Sequence, residues 1–183
     1  MFDFFISDTH FGHKAIIDLC ARPFNSVKEM NESIIENYNN IVNSDDTVLW
    51  IGDVSFLSKE KTKEIITSLL GKKWLVSGNH DKNDKAMMDI GFDVVVDSIT
   101  FKQQGIYILA SHYPYRTLQQ DVRFFDKHPI KRGEDLLLHG HTHNLSKLSG
   151  KRAIHCGVDA WDFKPASIRE IMDIYNKNYS QGG

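Results

Sequence analysis

At 183 residues the chain fits one domain, and a chain of this size buries roughly 70% of its unfolded surface, with 41% hydrophobic residues to fill the core. That apolar content and 25% charged residues argue against intrinsic disorder, and a formal net charge of only -2 argues against tight, sequence-independent binding to duplex nucleic acid or anionic lipid. The apolar start at residues 1–7 carries Asp3 and is too short for a secretion signal, and no later stretch approaches the ~20 apolar residues of a membrane span.

The N-terminus is therefore read as mature structure, and a single domain is expected over residues 1–179 with a loose tail at 180–183. Residues 2–7, rich in Phe and Ile, read as a first buried strand. Ser26 with Glu29 then forms a capping-box start, and Met30, Ile34, Ile35, Tyr38, Ile41 and Val42 recur at helical spacing. A second strand is expected at 47–51, and a helix capped by Ser58 runs to about Leu70, where Gly71 stops it. Strands follow at 73–77, 106–111 and 136–139, and residues 92–111 read as strand after strand. Ser167 with Glu170 repeats the capping box for a last helix through Ile171, Ile174 and Tyr175. Early alternation of strand and helix followed by consecutive strands predicts a layered α/β domain with a mixed sheet.

Five polar clusters sit at the C-terminal ends of the expected strands: Asp8-Thr9-His10, Gly52-Asp53, Gly78-Asn79-His80-Asp81, Ser111-His112 and Gly140-His141-Thr142-His143. In open α/β sheets those ends form the crevice where ligands bind. Any one of these histidines alone reads as a packed or surface residue, and a lone Gly-Asp reads as a turn. The five together suit divalent metals of intermediate hardness, because carboxylates supply charge, imidazoles nitrogen and an amide a neutral oxygen. A thiolate zinc site would need cysteines in ligand spacing, and Cys20 and Cys156 form neither that nor a disulfide framework, which points to a reducing compartment and hence the cytoplasm. Seven candidate ligands exceed one tetrahedral ion, whereas two ions about 3.5 to 4 Å apart that share a carboxylate activate water and clamp a phosphoryl group.

The ordered set DTH, GD, GNHD, H and GHTH, from Asp8 through His143, resembles the calcineurin-like metallophosphoesterase superfamily, and the short form is similar to its stand-alone bacterial and phage phosphoesterases. The resemblance implies a two-sheet β-sandwich flanked by helices, an α/β metallophosphoesterase fold. It also implies that Asp8, His10, Asp53 and His143 hold a first metal ion while Asp53, Asn79, His112 and His141 hold a second. Direct attack by a hydroxide bridging the two ions is the implied chemistry, with His80 protonating or stabilising the leaving oxygen and Asp81 either orienting His80 or capping the turn after it. The expected cofactor is two divalent ions, manganese first, with iron, nickel or zinc as alternatives.

His13, Arg22 and Arg116 are candidate substrate contacts, since a guanidinium binds phosphate bidentately, although surface placement is the commoner fate of either arginine. His128 is expected in a solvated loop and His155 on a strand face. His139 is expected on the strand carrying the GHTH turn, Trp161, Phe163 and Pro165 under the last helix, and Lys59, Lys61 and Lys63 on a solvated helix face. The expected partner is a small phosphate ester, monoester or diester, and no membrane; nucleic acid enters only as a substrate, and nothing in the residues sets an oligomeric state. Two other functions compete: an inactive binding scaffold of the same fold, which the intact ligand set opposes, and a nuclease, which in this superfamily adds a domain the chain has no room for. A protein phosphatase would show GDxxDRG and GNHE, whereas Val54, Ser55 and Phe56 follow Asp53 and Asp81 follows His80. A metallo-β-lactamase pattern fails at Asn144.

Overall fold

Period-two alternation along the first three strands decides the layering of the computed structural model, in which residues 1–117, 122–150 and 152–179 are described. In β1 (Phe4–Ile6), β2 (Thr47–Trp50) and β3 (Lys72–Val76), Ile6, Val48, Trp50 and Leu75 enter one core while Phe5, Leu49 and Val76 enter another. Successive side chains of a strand point to opposite faces, so a sheet with both faces apolar must be covered twice. The first core is completed by α1 (Lys14–Leu19), α2 (Val27–Asn39), α3 (Lys59–Ser68) and α4 (Asp84–Asp89) through Ile16, Met30, Ile34, Ile66 and Met87.

The second core is closed by another sheet and by the C-terminal helix. Ile108 and Ala110 of β6 (Ile106–Ser111), Leu136 and Leu138 of β7 (Leu136–His139) and Ile154 of β8 (Ala153–His155) face Phe5 and Leu49. Ile171 and Tyr175 of α5 (Ile168–Tyr179) pack into the same cluster. The first sheet has the order β4-β3-β2-β1-β9, with β4 at Val94–Val96 and β9 at Ala166–Ser167, and only β9 runs antiparallel. The second has the order β5-β6-β7-β8, with β5 (Ser98–Gln103) antiparallel to an otherwise parallel set. Two mixed sheets stacked with flanking helices match the sandwich that the resemblance implied.

Both capping boxes form, and one does so differently from its pattern. Ser167 accepts from the Glu170 N–H at 3.2 Å while Glu170 accepts from the Ser167 N–H at 2.9 Å, closing the box reciprocally. Ser26 accepts from the Glu29 N–H at 3.1 Å, but the Glu29 carboxylate takes the N–H of Asn25 at 2.8 Å, one residue earlier. The helices α1 and α4, six residues each, were too short to show a periodicity, and α1 has no side-chain cap on His13. The tail at 180–183 lies outside the described residues.

Candidate metal centre

Parallel strands point their carboxyl ends the same way, so β1, β2 and β3 deliver Asp8, His10, Asp53 and Asn79 to one edge of the first sheet, and β6 and β7 deliver His112, His141 and His143 from the second. The delivery is by turns rather than extended strand. Asp8, His10, Asp53, His141 and His143 all lie in the left-handed region, with φ of 57°, 49°, 56°, 70° and 49°. Such residues cost of order 1–3 kcal/mol each and persist where their surroundings hold them, which is typical of active sites and ligand clamps. Two glycines let the turns close: a Cβ at Gly78 would strike Asp53 Oδ1, and one at Gly140 would strike Ser7 Oγ and come within 2.5 Å of Asp8 Oδ2.

The side chains gather into two groups whose donor atoms lie within 4.8 Å of one another, Asp8 with His10 and His143, and Asp53 with His112 and His141. Asp53 Oδ2 stands between the groups, 3.6 Å from His10 Nε2 and 3.5 Å from His112 Nε2. These separations are long for hydrogen bonds and fit ligands of one ion, since two atoms at bonds of about 2.1 Å and a tetrahedral angle are about 3.4 Å apart. His10 Nε2 is buried without a hydrogen-bond partner, a costly state for a polar atom unless something else occupies that direction. Asn79 Oδ1 lies 3.1 Å from His112 Nε2, completing the second group, and His112 Nδ1 donates to the Ile51 carbonyl at 2.8 Å, which aims Nε2 at the centre. The chemistry and spacing of both groups thus fit ligation of divalent metal.

The electrostatics point the same way. Burial pushes His10 down to about 3 and His141 down to about 4, leaving neutral rings with a lone pair to give. Burial opposes ionisation of Asp53, yet His112 at 3.5 Å, with the His80 N–H donating at 2.9 Å, holds its carboxyl below the usual range. For Asp8 burial wins and raises the carboxyl, the condition that a neighbouring cation would reverse.

A family profile described as a calcineurin-like phosphoesterase superfamily domain matches residues 1–158. The chain belongs to that superfamily. Within it, an uncharacterised protein of Methanocaldococcus jannaschii is 32% identical over 183 residues, covering 95% of this chain and 91% of the relative. The gene 66 protein of Mycobacterium phage L5 is 30% identical over 204 residues, covering 98% and 96%. Among solved structures, a protein of unknown function from Aquifex aeolicus superposes with a TM-score of 0.72 at 31% identity, covering 93% of this chain and 97% of that one. Superfamily membership and the two candidate ligand groups together support a metal-dependent phosphoesterase in general terms.

The residues around the ligands depart from expectation in several places. Arg22 is not a surface phosphate clamp: it is 4% exposed, and its guanidinium meets Asp159 at 2.8 and 3.0 Å and the carbonyls of Asp8 and Thr9 at 2.8 and 3.1 Å. Asp159 in turn accepts from His143 Nδ1 at 3.0 Å, a contact that sequence reading missed although Asp159 lies two residues after Gly157, shortly beyond the end of β8. Asp81 neither orients His80 nor caps the following turn; its carboxylate accepts from the N–H groups of Asp53, Val54 and Gly78 at 2.8–2.9 Å, fixing the two turns that present Asp53 and Asn79.

His80 is exposed at the rim, its Nε2 3.9 Å from Asp53 Oδ2. His13 stands beside it, stacked on Phe56 at 4.0 Å and close to His10. Arg116 pairs with Asp126 at 3.7 Å and lines a cavity of about 610 Å³ together with Gly78 and Tyr113, next to the second ligand group. His128, expected in solvent, is buried, with Nδ1 donating to the Pro114 carbonyl at 2.8 Å. His139 and His155 end β7 and β8 as register partners, both fully buried, and Trp161 is buried against Ile171 in the second core. No described helix is long and apolar enough to cross a membrane.

Proposed function

We propose that the protein is a dinuclear metal-dependent phosphoric ester hydrolase acting on phosphomonoesters or small phosphodiesters, with water as the attacking group. The observation that carries this reading is Asp53 Oδ2, placed within 3.6 Å of a histidine from each ligand group. Asp8, His10, Asp53 and His143 would hold one ion and Asp53, Asn79, His112 and His141 the other, with manganese the first candidate. Bound ions of this kind supply Lewis acidity, which can lower the pKa of water to roughly 7 and offset charge on phosphoryl oxygens. The remaining work falls to the chain itself. Asp81 and the His80 N–H lock the Asp53 turn and its Oδ1, so that Oδ2 faces the histidines. The exposed His80 ring at the rim is positioned to pass a proton to a departing oxygen. Free thiols at Cys20 and Cys156 are in keeping with a cytoplasmic setting.

The test is a screen of purified, manganese-loaded protein against mono-, di- and cyclic phosphates, with elemental analysis of the same sample. Hydrolysis of at least one ester class with about two ions per chain is expected. Zero or one ion in saturated protein, or no turnover of any ester, removes the reading.

A further inference from the structure

Among the described residues, a fully enclosed ion pair sits behind one ligand group and not behind the other. Arg22 and Asp159 have side chains 0% and 1% exposed, and the pair joins residues 137 positions apart. Removing two charges from water is costly unless every donor and acceptor finds a partner. Here they do: Arg22 Nε and Nη2 take the two Asp159 oxygens, Nη2 also donates to the Asp8 carbonyl, and Nη1 donates to the Thr9 carbonyl and, at 3.5 Å, to Met30 Sδ. Asp159 Oδ2 has a second donor, His143 Nδ1 at 3.0 Å.

The pair therefore grips the first ligand group from both ends. On one side it holds the backbone of Asp8, whose left-handed φ of 57° needs an external restraint. On the other it fixes the His143 ring, because a carboxylate at Nδ1 keeps the proton there and leaves Nε2, 3.9 Å from Asp8 Oδ1, as the ligating nitrogen. The second group has supports of its own, the Ile51 carbonyl for His112 and Asp81 for the Asp53 turn, and it meets the first where the His141 N–H donates to the two Asp8 carboxylate oxygens at 3.1 and 3.0 Å. Cys20 lies near enough to His143 and Asp159 to suggest a third ligand cluster, but the facing atoms of His143 and Asp159 are already committed to each other and to Arg22.

We propose that Arg22 and Asp159 are positioning residues that organise the Asp8–His10–His143 group in preference to the Asp53–His112–His141 group. The inference rests on the metal reading of the site, yet it makes a claim about the His143 ring that stands without metal. In the metal-free protein at alkaline pH, nitrogen-15 NMR of the imidazoles should show His143 protonated at Nδ1. Asp159→Asn should shift that ring toward a mixture of tautomers. Calorimetric titration with manganese should show one ion bound to Asp159→Asn as in the parent and the other weakened about 10- to 100-fold. Arg22→Lys, which keeps the charge and loses the fork, should give the same one-sided weakening and serves if Asp159→Asn does not fold. Equal weakening of both ions, or unaltered binding of both, overturns the proposal. An Nε2–H tautomer in the parent protein does the same. A parent protein that binds no manganese defeats the functional reading, and the tautomer measurement then still decides the positioning claim.

Discussion

Asp53 is the residue on which two ions would depend at once, because its Oδ2 faces a histidine of each group. Asp53→Asn removes negative charge from both ions and should lower metal content and turnover together, whereas Asp8→Asn should mainly affect one; full metal content and normal turnover in Asp53→Asn, by elemental analysis and kinetics, would refute the shared role. The His80 ring belongs to neither ligand group, and its N–H bond to Asp53 survives truncation of the side chain, so His80→Ala should keep its metal. Its turnover should fall about 10²- to 10⁴-fold on alkyl or nucleoside esters, whose leaving oxygen needs a proton, and much less on nitrophenyl esters; equal losses would exclude proton donation. Burial disfavours a charged His112, but Asp53 at 3.5 Å and the charge of Asp8 push it up to about 9. A metal ion must then displace that proton, so affinity should fall as pH drops below about 9. Calorimetry in buffers of different ionisation enthalpy should detect the released proton at neutral pH, and an absence of buffer dependence would contradict the assignment. In the metal-free protein the sign reverses: this raised group stabilises the fold fully below about 6.5 and that contribution is lost as pH rises through about 9. The residues that the structure gathers into the two candidate groups come from five short motifs legible in the sequence. The Arg22–Asp159 pair was not legible, because an ion pair spanning 137 positions leaves no local spacing to read.

At the level of elements, the capping signals held where a side chain closes on its own helix. Ser167 and Glu170 satisfy each other's N–H groups at the start of α5, and Ile171 and Tyr175 face the second core from the same helix. Ser167→Ala should lower stability by about 1 kcal/mol, read as a shift in urea midpoint at unchanged slope, while metal binding stays intact because α5 supplies no ligand; a change in metal content would contradict that separation. Long amphipathic helices and apolar strands were legible for the same reason, a repeating pattern over many residues. The strand β9, of two residues, and β8, of three, carry too few positions for alternation to register. Their pairing is set by what they lie beside: Ala166 against Phe5, and Ile154 against Leu138. The turns at Asp8, His10, Asp53, His141 and His143 were legible as turns but not in handedness, since aspartate and histidine enter the left-handed region without being confined to it.

Across the whole molecule, periodicity indicated layers but could not say that the strands divide into two sheets; that came from the resemblance, and both cores now explain it through residues such as Leu49 and Trp50, neighbours that face opposite ways. The division has a mechanical consequence. Four of the candidate ligands hang from the first sheet and three from the second. Bound ions would therefore rivet the sandwich together at one edge, closing a loop from Asp8 to His143 much as a reversible cross-link does. Separating the sheets requires the ions to leave first, so at saturating protease the digestion rate of loaded protein should equal the rate of metal release, measured independently with a chelating dye. Digestion faster than release would mean that the sheets part with the ions still in place. A scavenger of metal would then set the protein's lifetime as well as its activity.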